Sequence, residues 1–99
     1  MKQALLTPLV EADVQEAFRW YESQRPGLGL AFRHAVDIAV AAIETNPEAY
    51  TTVHRQTRRV LLPKFPYALY YRVLAENLLV IGCIHAKRHP RTWRSRGTG

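Results

Sequence analysis

"FPYALYYRVLAENLLVIGCIH", residues 65–85, decides how this chain folds. Its first part alternates. Tyr67, Leu69, Tyr71 and Val73 point one way and Ala68, Tyr70, Arg72 and Leu74 the other, which is the two-residue period of an extended strand. Pro66 opens that strand, where a missing N–H does least harm. "AEN" supplies a turn, and "LLVIGCIH" is apolar at both parities, as a central strand buried on both faces should be. Alternation sorts the rings into two sets without saying which faces inward. One set is expected to pack under helices, and the other, with Arg72, to line a sheet surface that a partner covers.

Working upstream, "TRRVLL" (57–62) reads as a further strand bounded by Pro63, and residues 2–6 as a short first strand. Thr7-Pro8 marks a helix start. The threonine hydroxyl can accept from an orphan N–H, and proline at the first helical position gives up an N–H that had no partner. Glu11 and Asp13 follow in the early turns, where the helix dipole favours negative charge. Val10, Val14, Ala17 and Tyr21 recur at helical spacing until "RPGLG" (25–29) stops the helix. A second helix is expected from about Leu30 to Thr45. Phe32, Val36, Ala39 and Ile43 form one apolar row and Ala31, Ala35, Ile38 and Ala42 another, a surface broad enough to touch both the first helix and a sheet. Pro47 ends it, because proline disfavours helical geometry at Asn46. Helices segregated from a run of strands predict an α+β fold, a two-helix hairpin on one face of a small antiparallel sheet.

Ninety-nine residues, 47% hydrophobic and 22% charged, predict one globular domain over residues 1–99. The apolar run near the N-terminus is broken by Thr7-Pro8 and then by acids, unlike a signal peptide, and no run approaches the length that spans a bilayer, so no membrane association is expected. The single cysteine, Cys83, lies in an apolar run and reads as a buried, reduced thiol, which fits a cytoplasmic location. Charge is unevenly distributed. Residues 1–54 hold four Lys/Arg against seven Asp/Glu, whereas residues 55–99 hold ten against Glu76 alone. Such asymmetry points to an acidic partner. The tail from about residue 86 is basic and lacks an apolar period, and it is expected to leave the sheet partly ordered.

Few catalytic motifs compete. "PGLG" lacks the strand-to-helix setting of a nucleotide loop. His34, His54, His85 and His89 lack close metal-ligand spacing, and no metal or cofactor is expected. Cys83 and His85 project to one face of a strand, but an apolar setting raises a thiol pKa rather than lowering it. What remains is a concentration of arginines and rings. Arg58, Arg59, Tyr70, Arg72, Lys87, Arg88, Arg91, Trp93 and Arg94 are the candidate contact residues, since guanidinium forks hold phosphates and carboxylates while rings stack or pack.

Six pieces in order carry a family resemblance: "WYE" (20–22), "PGLG" (26–29), "NPEAY" (46–50), "RRVLL" (58–62), "FPYALYY" (65–71) and "HAKRHPRTW" (85–93). Together they resemble the RelE/ParE family of bacterial type II toxins over nearly the whole chain. The resemblance implies a two-helix hairpin on an antiparallel sheet and a cognate antitoxin that wraps and neutralises the toxin in a hetero-oligomer, through an expected acidic, partly disordered C-terminal segment with apolar anchors. The RelE branch cleaves mRNA in the ribosome and needs a base, charge-stabilising cations and an acid. Here the branch's strand arginine is replaced by Ala68 and its tail tyrosine by Trp93, whose indole N–H is only a donor. A nuclease would have to use His85, Arg88 and Arg72. The ParE branch inhibits DNA gyrase without bond chemistry of its own, and "PGLG", "FPYALYY" and H-x-x-R-x-P-x-x-W resemble it more closely. The leading expectation is therefore a gyrase-directed toxin. A ribosome-dependent endoribonuclease is the alternative, and a nucleic-acid-binding domain without toxicity a third reading.

Overall fold

The structure, a computed structural model, describes residues 1–88 and 90–97. The chain runs β1 (Gln3–Leu6), α1 (Pro8–Gln24), α2 (Leu28–Thr45), β2 (Thr52–His54), β3 (Thr57–Leu61), β4 (Tyr67–Val73), β5 (Asn77–His85) and α3 (Arg91–Gly97). The five strands lie in the order β1-β5-β4-β3-β2. The hairpin-connected strands β2 to β5 pair antiparallel, as expected, but β1 pairs with β5 in parallel from Gln3↔Asn77 to Leu6↔Val80. The sheet is thus mixed. Parallel neighbours need a long connection, and here the helical hairpin and three strands separate the pair.

Helix α1 begins as its sequence predicts. Thr7 is extended, its hydroxyl accepts from the Val10 N–H at 3.3 Å, and Pro8 takes the first helical position. The interhelix turn is held by Glu22, whose carboxylate accepts from the N–H groups of Gly27 and Gly29, each at 3.0 Å at closest. Gly27 sits at φ +90°, a left-handed conformation that glycine adopts without steric cost. At Gly29 a β-carbon would lie 2.8 Å from the Phe18 carbonyl oxygen, so glycine is what lets the two helices meet there. Because Gly27 caps the second helix, α2 starts at Leu28 rather than Leu30. Its row Phe32, Val36, Ala39 and Ile43 is buried. The second expected row is not: only Ala35 is buried, and Ile38 is 46% exposed. The sheet lies under one side of α2 only, so the broad apolar surface is half used.

The rings of residues 65–71 divide three ways. Phe65 and Tyr67 join Tyr21 and Phe32 beneath the helices, with Tyr21 stacked on Phe32 at 5.3 Å and Phe65 edge-on to them at 4.9 and 5.3 Å. Tyr71 occupies the other end of this face, donates to the Pro47 carbonyl at 2.5 Å, and is pushed up to about 12, chiefly by burial. Tyr70 turns to the opposite face. There it joins Ala68, Ile81, Ile84 and Trp93 in a second, smaller apolar cluster. The register slips between Tyr70 and Tyr71 because β5 carries one residue more than β4, a bulge that twists the pair.

The tail departs from expectation. Instead of leaving the sheet, residues 91–97 form α3 and return to the second face. The indole of Trp93 stacks on Tyr70 at 4.8 Å with 15° between the planes, and such pairs contribute about 0.5–1.5 kcal/mol beyond their area. So short a helix has little intrinsic stability, which makes this tertiary contact decisive.

Cys83 lies in the core under the helices, where burial first and the nearby Asp13 second push its thiol up to about 12. Well below the ordinary thiol value of about 8.5 the thiol is protonated in both folded and unfolded chains and contributes no pH dependence. Above that the unfolded chain sheds the proton and the folded one keeps it, so stability falls as pH rises. Urea unfolding of the wild type and Cys83→Ala at about pH 7.5 and about pH 10.5 should show a smaller alkaline loss for the variant. Native protein at neutral pH should resist thiol reagents until unfolded. Rapid labelling under native conditions would contradict this burial.

Candidate functional site

The expected contact residues do not converge on one surface. Arg58 is structural. It lies beside Tyr71 on the helix face, and its guanidinium donates to the Glu48 and Tyr50 carbonyls at 3.2 and 2.7 Å, holding the segment between α2 and β2. Arg59 pairs with Tyr70 on the opposite face and borders an open recess of about 370 Å³ with Ala49, Tyr50, Thr51, Val60 and Leu61. Tyr70 is 1% exposed and Trp93 5%, so in this conformation each shields the other from a partner. Arg91 and Arg94 are exposed on α3, and Lys87 and Arg88 on the turn after β5.

A half-open groove of about 600 Å³ runs between α1 and the paired ends of β4 and β5. Glu16, Ala17, Trp20 and Tyr21 form one wall, and Pro66, Tyr67, His85 and Arg88 the other. The His85 ring stands edge-on to Tyr67 at 5.4 Å. Its Nδ1 accepts from the Lys87 N–H at 3.1 Å, which places the proton of the neutral ring on Nε2. Burial first, and the neighbouring Cys83 second, push Tyr67 up, while Arg88 pulls the other way. The phenol therefore stays protonated at neutral pH, as a donor and not a base. Trp20, 57% exposed, was absent from the sequence-derived set. A tryptophan among the polar residues of α1 was the available signal.

The three residues a nuclease would need are not assembled. His85 and Arg88 share the groove, but Arg72 is five positions along β4 from the Tyr67↔His85 pair, about 17 Å away at strand spacing. It also projects to the opposite face, where it reaches Gln56 at 3.4 Å. No group of three or more metal-ligating side chains occurs among the described residues, and His89 lies outside them.

One further contact joins these surfaces. Strand β1 ends at Leu6, opposite Val80, so β5 continues without a neighbour on that side. Asp13 of α1 accepts there from the Cys83 N–H at 3.1 Å. Arg96 of α3 reaches the same carboxylate at 2.6 and 3.3 Å and donates to the Ile81 carbonyl at 3.3 Å. The sequence carries no signal for this pair, because α3 lacks an apolar period.

The architecture is that of a small α+β domain without an assembled nuclease set among its described residues. The family model for the ParE toxin of the type II toxin-antitoxin system, parDE, matches residues 4–90, and the chain belongs to that family. Among solved structures, one from the chromosomal ParDE toxin-antitoxin system of P. aeruginosa is similar in fold, with a TM-score of 0.76 at 17% identity, covering 86% of this chain and 96% of that one. No curated protein matches the chain. No helix among the described residues is long and apolar enough to cross a membrane.

Arg96→Gln should release α3. The lost charge-assisted contacts, each about one-fifth exposed, should cost about 1–2 kcal/mol. In a Trp20→Phe background, which leaves Trp93 as the sole indole, the variant's emission should shift red and acrylamide quenching should rise, while the far-ultraviolet spectrum stays near native. Unchanged emission and quenching would show that the stack on Tyr70 holds α3 without the ion pair.

Proposed function

We propose that this chain is a toxin that arrests growth by docking on DNA gyrase, acts in the cytoplasm, and is silenced by a cognate antitoxin with an acidic, partly disordered C-terminal segment. Membership of the ParE toxin family supports the reading. The observation that carries it is the dispersal of the groups that RNA cleavage would require: Arg72 is on one face of the sheet and His85 with Arg88 on the other, Ala68 is fully buried, and Trp93 is stacked away on Tyr70. A chain so arranged acts through its surface. The antitoxin's apolar anchor is assigned to the groove of Trp20, Tyr21 and Tyr67, where Arg88 stands ready for an adjacent carboxylate. Burial of an aromatic or aliphatic side chain among three rings is the usual source of dominant binding energy in such contacts.

Purified toxin incubated with gyrase and relaxed plasmid should block supercoiling or trap cleaved DNA, and primer extension on mRNA from expressing cells should show no codon-linked cuts. Undisturbed supercoiling at excess toxin, or discrete mRNA cuts, would overturn the assignment. Trp20→Ala combined with Arg88→Glu should weaken the antitoxin complex by at least about tenfold, measured by titration calorimetry. Native thermal unfolding would show that the groove alone was altered.

A further inference from the structure

The β2–β3 hairpin turns through Arg55 and Gln56, between the paired residues His54 and Thr57. Arg55 holds φ +52°, uncommon for a bulky residue, and lies exposed at the tip. A register slip between Thr52 and His54 brings both Val53 and His54 to the second face of the sheet. Val53 packs against the cluster around Tyr70, and the His54 ring stands 6.2 Å from that of Trp93. From α3 the guanidinium of Arg94 lies 5.6 Å from the same indole. Two elements far apart in sequence thus bring His54 and Arg94 to one tryptophan, with Arg55 next to His54 at the hairpin tip. The ion pair found among the described residues is Asp13–Arg96, which leaves Arg55 and Arg94 without a carboxylate. The crowding is felt by the imidazole: partial burial, then Arg94, then Arg55 lower the His54 pKa below its usual value.

We propose that His54, Arg55 and Arg94 form a phosphate site that holds the backbone of DNA. Guanidinium forks match phosphate oxygens, and a bound anion offsets the repulsion that the two guanidiniums exert on a His54 imidazolium. An acidic protein segment would satisfy the same charges, but it draws much of its affinity from apolar anchors. Here the adjoining rings offer almost none, with Trp93 5% and Tyr70 1% exposed. A phosphodiester backbone needs no such anchor, because counter-ion release supplies its affinity. The inference concerns the isolated chain and does not depend on gyrase being the target.

The test is a salt titration of the full chain with two fluorescent DNA duplexes of unrelated sequence. Both should bind, with log K falling linearly against log salt. Arg55→Gln with Arg94→Gln, both at exposed positions, should reduce the slope by about 1.8, and weaken the two duplexes alike. The charged groups that act on the His54 ring are Arg94 from α3 and Arg55 on its own hairpin, and Thr57 of β3 is its register partner. Bound phosphate favours the imidazolium, so the His54 pKa followed by NMR should rise on adding duplex. Affinity should then increase as pH falls through that pKa, and His54→Gln should remove this dependence. An unchanged slope in the folded double variant, or an unmoved His54 pKa, would overturn the proposal. So would polyglutamate that binds this face more tightly and displaces the duplex, since that would assign the surface to a protein partner.

Discussion

Strands β4 and β5 bury both of their faces, and the rest of the molecule is arranged to cover them. A sheet with apolar side chains on two sides cannot stand as a single layer against water. The hairpin of α1 and α2 covers the face of Leu69, Tyr71, Leu78, Val80 and Cys83. The face of Ala68, Tyr70, Ile81 and Ile84 has far less chain available to it, and Trp93 supplies the large ring that closes it. Asp13 links the two covers. By accepting from the Cys83 N–H and from Arg96 at once, it fastens α1, the unpaired part of β5 and α3 at one point. The same carboxylate satisfies an edge N–H that would otherwise be open to pairing with another chain.

Most of this fold was legible because its signals are local. Thr7-Pro8, the Gly27 turn, the two apolar rows of the helices and the alternation of residues 67–74 each dictate geometry within a few residues. What could not be read depends on distant partners. Helix α3 has no apolar period and is defined by Tyr70 and Asp13, far upstream. The parallel pairing of β1 is a consequence of where the helical hairpin returns the chain. β2 is three residues long, too short for alternation to register, yet it places His54 against Trp93.

The candidate site was legible as chemistry and not as geometry. Arginines are concentrated after residue 54 and rings within residues 65–71, but composition carries no information about faces. Alternation placed Tyr70 and Arg72 on one side without revealing that Trp93 would cover the tyrosine. Trp20 enters the sequence reading only within "WYE", because a helical pattern marks what α1 buries, and a groove is formed by what a helix leaves out. Arg55 and His54 were likewise invisible as a pair with Arg94, since the three meet only once the tail has folded back.

The arginines of this chain therefore belong to distinct physical classes, and net charge overstates the surface available to a partner. Arg96 is committed to Asp13 and the Ile81 carbonyl, Arg58 to two carbonyls that seat the segment before β2, and Arg33 to Gln15 and the ring of Phe18. Their removal acts on the fold first. Arg88 belongs to the groove, Arg55 to the hairpin tip and Arg94 to α3, the last two beside His54. A charge reversal that abolishes toxicity carries opposite meanings in these classes. At Arg96 it uncovers Tyr70 and loosens the second face, so any partner surface there is lost with its support. At Arg55 the scaffold has nothing to lose, and a change in binding reports the contact itself. Stability measured alongside binding separates the two, because only in the first class do both move together.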